Sequence, residues 1–293
     1  MEVIISADDY GLSDLTCQGI LEAHKNGILT STSVMSAGAL LSKQQIGWLM
    51  DCPKLGTGGH LSLTVGRPLN ERLVSFSQIV DEHGFFKPSY INLVQTLTFG
   101  QDRKHILKEI ESELNLQLTR LLDSGLKIDH LNSQHHVHMF PPIFLIVNNL
   151  AEKYNIRHVR RSRERLSHFI NHPHLLFEVD SINILKALIL NIFSLALHPK
   201  VPSTMFYGVV NSGLSNWTYI EKMISSLEKN CPTEILFHPG KVEFSEDRVL
   251  ANFLKFLASP AREEEIQLLC SNTFENHLNK VGAKLCRFQD IAL

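Results

Sequence analysis

Two aspartates, Asp8 and Asp9, stand side by side directly after an apolar, β-branched run at residues 3–7. Like charges this close resist joint ionisation unless they share a cation or a proton. The pair therefore reads either as a metal ligand beside a general base or as a capping pair before Ser13, because Asp is common where a strand turns into a helix. Residues 129–138 carry His130, His135, His136 and His138, four imidazoles in nine positions. If this segment is extended, alternation puts Gln134, His136 and His138 on one face and His135 on the other. That density favours metal binding or catalysis over isolated core histidines. Imidazole with carboxylate suits zinc and similar ions, and an open position for water marks a catalytic site. His60 follows two glycines, which let backbone approach a ligand closely. His238, in His238-Pro239-Gly240, is either a turn residue or an imidazole aimed at the pocket as general acid.

These residues need elements to bring them together. After the strand at 3–7, Ser13 can cap a helix that runs through Ile20, Leu21 and Ala23 to Gly27. Residues 30–36 and 55–63 read as strands. Ile106, Leu107, Ile110, Leu114, Leu118, Leu121 and Leu122 recur at helical spacing, and Gly125 closes that helix. Strands are expected at 128–131, 156–159, 234–237 and 285–288, and helices at 144–154, 219–229 and 263–269. Alternating strands and helices predict an α/β architecture with a parallel sheet, either a barrel or a doubly wound sheet. Such sheets place chemistry at the carboxyl ends of their strands, where Asp8, Asp9, His60, the 132–138 segment and His238 fall. There is no internal repeat and no low-complexity linker, so residues 1–293 are expected to form one domain.

The formal net charge of −2 draws the chain neither to nucleic acid nor to an anionic membrane. The basic run Arg157, Arg160, Arg161, Arg163 and Arg165 lacks interleaved aromatics and reads as a solvated edge. Five widely spaced cysteines without a CxxC pair indicate neither a zinc knuckle nor a disulfide framework, and a reducing, cytoplasmic setting is expected. No signal segment is apparent. The most apolar stretch, 182–197, is interrupted by polar residues and short for a bilayer span, so it is expected to be a buried or partner-facing helix.

The segments Ala7-Asp8-Asp9-Tyr10-Gly11-Leu12-Ser13, Gly27-Ile28-Leu29-Thr30-Ser31-Thr32-Ser33, Gly59-His60-Leu61-Ser62-Leu63-Thr64, His135-His136-Val137-His138, Phe206-Tyr207-Gly208 and His238-Pro239-Gly240 in this order resemble the YdjC-like carbohydrate deacetylases. The resemblance implies a distorted (β/α) barrel of the glycoside hydrolase/deacetylase type, often a homodimer. It implies a divalent metal ion (Mg2+ or Zn2+) and removal of an acetyl group from an N-acetylated sugar of the chitooligosaccharide kind. It places the metal on Asp9, His60 and position 134; the mechanism expected from these residues puts the base on Asp8, which is left unligated, and the acid on His238, with His136 or His138 as alternative acids. Arg160 and Glu234 fall at polar positions of family segments and are expected to support the ligands from behind, and His138, Arg160, Tyr207 and Glu234 are expected near the substrate. Position 134 is the main departure: Gln134 stands where the family has histidine. An amide oxygen ligates a hard ion but holds zinc less well than imidazole does. Either Gln134 ligates, or His136 replaces it, or the site is weakened. Two rival classes follow: a non-catalytic sugar-binding homologue, and a glycosidase, which would need two carboxylates facing each other across a sugar rather than adjacent in sequence.

Overall fold

The computed structural model describes residues 1–38, 40–166, 169, 171–201, 203–213, 217–244 and 254–291. Its strands are β1 (Glu2–Tyr10), β2 (Ser31–Val34), β3 (Gly56–Leu61), β4 (Ile128–Ser133), β5 (His158–Val159), β6 (Met205–Tyr207), β7 (Thr233–Phe237) and β8 (Lys284–Leu285). They form an eight-stranded sheet in the order β5-β4-β3-β2-β1-β7-β6, with β8 beside the start of β1, and every pairing is parallel. The sheet curls, and an isolated bridge between Glu164 and Phe206 links its two ends. This is the distorted (β/α) barrel. The longer helices around it are α1 (Asp14–Lys25), α2 (Lys43–Met50), α3 (Tyr90–Phe99), α4 (Arg103–Asp123), α5 (Pro141–Lys153), α6 (Ser181–Leu195) and α7 (Trp217–Ser225). The short α8 (Leu254–Leu257), then α9 (Ala261–Leu269) and α10 (Asn272–Lys280), complete the ring.

Local chemistry explains the boundaries. Ser13 caps α1 by accepting from Thr16 N, as its position suggests. Gly125, with φ +87, turns the chain after α4 in a conformation costly for other residues. Sequence patterning does not single out α2 and α3, because their apolar residues are few or nearly continuous. Residues 286–288 do not extend β8; the chain turns into a 3-10 segment, Phe288–Asp290. There Phe288 stacks on His130 at 3.9 Å and packs with Ile4, Cys286 and Ile291, which fill the barrel at the amino ends of the strands.

The 182–197 stretch corrects the expectation of burial. Helix α6 exposes Ile182, Leu185, Leu188, Ile189, Ile192 and Leu195, while Asn183, Ala187, Leu190 and Ser194 face inward. Among the described residues no helix is long and apolar enough to cross a membrane. The basic run is not uniformly a solvated edge either: Arg160 is fully buried, and Arg161 donates to Ser194 on α6.

Candidate active site

Strand alternation should send Asp8 and Asp9 to opposite faces of β1. The backbone prevents this. Asp9 adopts φ +72, in the left-handed region that Asp tolerates better than most residues, and the register with β2 shifts between Ala7 and Tyr10. Both carboxylates are thereby buried at the carboxyl end of the strand. Ser33, His60, Asn132 and Arg160 meet them from the segments alongside, and Glu234 and Ser6 join through Arg160.

Asp8 sits in a dense set of donors. Its Oδ1 accepts from Ser33 Oγ (2.7 Å), Asn132 Nδ2 (3.1 Å) and Arg160 Nη2 (2.9 Å), and its Oδ2 accepts from Arg160 Nη1 (2.5 Å). Burial pushes the Asp8 pKa up, but the charges of Arg160 and His60 outweigh it and hold the carboxyl well below its usual range. The same guanidinium grips Glu234 (Nε to Oε1, 3.0 Å), whose Oε1 also accepts from Ser6 Oγ (2.6 Å). Burial disfavours the Arg160 charge, yet Asp8 and Glu234 keep it protonated.

His60 links this network to Asp9. Its Nδ1 is 2.6 Å from Asn132 Oδ1; because the Asn132 amide nitrogen is committed to Asp8, the oxygen faces His60 and Nδ1 carries a proton. On the other side, Nε2 is 2.7 Å from Gln134 Oε1 and 3.4 Å from Asp9 Oδ1. Burial alone would lower the His60 pKa, but Asp8 and Asp9 raise it. Asp9 Oδ1 is buried with no hydrogen-bond partner among the described residues.

That orphaned oxygen tests whether a cation fits. Asp9 Oδ1 and Gln134 Oε1 both crowd the one ring nitrogen whose proton a metal ion would replace. With His60 neutral, Asp9 has no Lys or Arg at ion-pair distance among the described residues, while Arg160 is shared by Asp8 and Glu234, so the site carries a formal excess of negative charge that a divalent ion would offset. The donors Asp9, His60 and Gln134 therefore fit such an ion. Two oxygens with one imidazole suit a hard ion such as Mg2+ better than zinc. Among the described residues no group of three His, Cys, Asp or Glu side chains is arranged to hold a metal, as expected when the third donor is an amide.

The segment at 134–138 is not extended. It is a 3-10 turn, Gln134–Met139, in which His135 and His136 both have positive φ (52° and 55°). The face argument therefore fails, and Gln134 reaches His60 while His136 swings away. His136 Nδ1 meets Ser162 Oγ at 2.8 Å and its ring stands edge-on to Phe206. His138 is fully buried, with Nδ1 on Ser133 Oγ (2.6 Å) and Nε2 on the Arg160 carbonyl (2.9 Å). Burial pushes its pKa down to about 3, and both ring nitrogens are used, so it supports the Arg160 backbone and leaves neither nitrogen for an ion, a substrate or proton transfer. Arg160 and Glu234 bond each other, Asp8 and Ser6, which is the supporting place behind the ligands expected of them rather than a direct contact with substrate. Tyr207 is buried on the opposite face of β6 from Phe206, whose ring packs under the Arg160 guanidinium, so Tyr207 points out of the barrel. His135 lies beside Thr64, its Nδ1 3.0 Å from the hydroxyl oxygen.

His238 follows β7. Its Nδ1 is buried with no hydrogen-bond partner among the described residues, and its ring lies within electrostatic reach of Asp9 and Asp8; burial lowers its pKa. Sequence reading misses Ser33, which bonds both Asp8 and His60 (3.0 Å to Nδ1), and the orienting part of Asn132. Alternation from Ser31 and from His130 places both on the inner face, and would have found them once the barrel was drawn.

The model of YdjC-like proteins matches residues 2–280. A carbohydrate deacetylase of Geobacillus stearothermophilus is 31% identical over 98% of this chain and 96% of its own length. A carbohydrate deacetylase of Brevibacillus brevis is 36% identical over 156 residues, 53% of this chain and 58% of that protein. The crystal structure of an Enterococcus faecalis protein named for cellobiose-phosphate cleavage superposes with a TM-score of 0.69 at 23% identity, over 100% of this chain and 99% of that one, and shares the fold.

Proposed function

The chain belongs to the YdjC-like family, and from that premise we propose that it is a carbohydrate deacetylase, a hydrolase that cleaves the amide C–N bond of an N-acetylated sugar and releases acetate. The observation that carries this reading is the meeting of Asp9 Oδ1, Gln134 Oε1 and His60 Nε2 at one buried point beside Asp8. A divalent ion held by Asp9, His60 and Gln134 would polarise the acetamido carbonyl and acidify water, which a base as weak as Asp8 requires.

Asp8 is kept ionised by Arg160, and its Oδ2, with one donor, has a lone pair left to take a proton from the attacking water. Asn132 fixes the His60 tautomer so that Nε2, not Nδ1, faces the ligand point. His238, protonated from solvent before the step, gives that proton to the leaving sugar amine, and the proton Asp8 takes from water returns to solvent as acetate leaves. Proton transfer of this kind contributes about 10²–10⁴-fold each way. The substrate class we assign is a small chitooligosaccharide. Acetate release from N,N'-diacetylchitobiose, measured after adding Mg2+ or Zn2+ to chelator-treated protein, tests this. Release above the chelated control supports the reading. A metal-free, acetate-silent protein would instead be the sugar-binding homologue that Gln134 motivates.

We also assign a second copy of the chain as the partner of α6. Six aliphatic side chains about half exposed present on the order of 600 Å² of uncharged surface, the upper end for a monomer and close to one partner's share of a standard interface, about 800 Å².

A further inference from the structure

A general acid must be aimed, yet His238 lies one residue beyond the end of β7, where the sheet no longer holds it. We infer that Arg262 and Glu265 on α9 are positioning residues for this reaction, gripping the main chain of His238 from both sides so that its imidazole faces the two aspartates. The inference rests on the deacetylase reading and its assignment of His238.

The grip is specific to one residue. The N–H of His238 donates to Glu265 Oε2 at 2.5 Å, and Arg262 Nε donates to the His238 carbonyl at 3.2 Å. Holding both polar groups of one residue fixes the backbone on either side of its Cα and hence the direction of Cβ. The hold continues along the loop: Gly240 N donates to the Arg262 carbonyl (3.3 Å) and Val242 N to Glu263 Oε1 (3.0 Å). Gly240 is required at its position, since a Cβ there would overlap the Arg262 guanidinium. Arg262 is itself anchored, donating from Nη2 to Thr16 Oγ1 (3.0 Å) and lying 4.6 Å over the Phe256 ring. Phe256 meets the His238 imidazole edge-on, with centroids 5.7 Å apart at 87°.

Arg262 and Glu265 are each 2% exposed. Burying a guanidinium and a carboxyl group is costly unless each is well used, and apolar residues would dock a loop as firmly. What they would not supply is a fixed heading for one side chain, which is what the paired N–H and C=O bonds provide.

The test compares Glu265→Ala, Glu265→Gln, His238→Ala and the Glu265→Ala/His238→Ala double variant in the full chain. For acetate release from N,N'-diacetylchitobiose, Glu265→Ala lowers kcat about 10–100-fold with KM within about twofold, part of the acid's 10²–10⁴-fold share. Glu265→Gln recovers most of the rate, because its amide oxygen accepts the same N–H. In the His238→Ala background, Glu265→Ala adds less than about twofold, since the two act as one unit. Losses that multiply in the double variant, or a Glu265→Gln protein as slow as Glu265→Ala, overturn the inference. Histidine NMR reads the grip without substrate: Glu265→Ala shifts and broadens the His238 ring resonance, and an unmoved resonance overturns the inference. A parent protein that releases no acetate defeats the deacetylase reading instead, while the resonance still decides the grip.

Discussion

Replacing Asp8 with asparagine removes the charge that faces Arg160 while keeping the side chain's shape. Asp8 is 3% exposed and accepts four hydrogen bonds, two from Arg160 and one each from Ser33 and Asn132. In Asp8→Asn one carboxylate oxygen becomes an NH2 group, so a donor faces a donor. Breaking a buried ion pair from one side costs about 3–5 kcal/mol. Arg160 keeps Glu234, which puts the loss near the lower figure, about 3 kcal/mol. At about 2–4 °C per kcal/mol, that is a fall in Tm of roughly 6–12 °C at pH 7.

The pH dependence has a definite sign. Asp8 has a depressed folded pKa, so its contribution is present above the unfolded carboxylate pKa, about 4, and is lost as pH falls below it. The gap in Tm between parent and Asp8→Asn should be full at pH 6–7 and narrow steadily below about pH 4. Calorimetry from pH 3 to 7, with acetate release at pH 7, measures both consequences. Turnover should fall about 10²–10⁴-fold. A gap worth less than about 1 kcal/mol at pH 7, or one that does not narrow in acid, would refute the Asp8–Arg160 argument. Acetate release at the parental rate would remove Asp8 as the base.

Gln134→His supplies a third strong donor beside Asp9 and His60 and should raise retained zinc, read by elemental analysis after dialysis against limiting metal; equal zinc in parent and variant refutes the placement of position 134. Asn132→Leu frees the His60 tautomer and should weaken metal binding about 10–100-fold by titration calorimetry. Burial pushes Glu164 up to about 7 even though it accepts from the N–H groups of Val209 and Val210. Its stabilising share is full below about pH 4.5 and fades as pH rises through 7, so Glu164→Gln should flatten the melting profile between pH 5 and 8. Ile189→Lys with Ile192→Lys should convert a sedimenting dimer into monomer with little change in melting; a parent that sediments as monomer at micromolar concentration removes the second copy from α6.

Much was legible in the residues alone. Alternating strands and helices gave the parallel α/β class, because period-2 and period-3.6 patterns are set locally by burial. The costly Asp8-Asp9 doublet drew attention to the strand end where the buried network with His60 and Gln134 lies, whereas the dense imidazoles His130, His136 and His138 turn to other partners. What the sequence could not decide was direction. Whether both aspartates point inward depends on the φ of +72 at Asp9, and whether Gln134 or His136 meets His60 depends on two left-handed histidines. Backbone dihedrals of this kind follow from the packing of distant strands, not from neighbours in the chain. The same holds for Arg160, read in the sequence as part of a solvated basic run and found buried between Asp8 and Glu234, 152 and 74 residues away. A charge enters the core only where partners from other strands are waiting for it, and only the closed barrel brings them there.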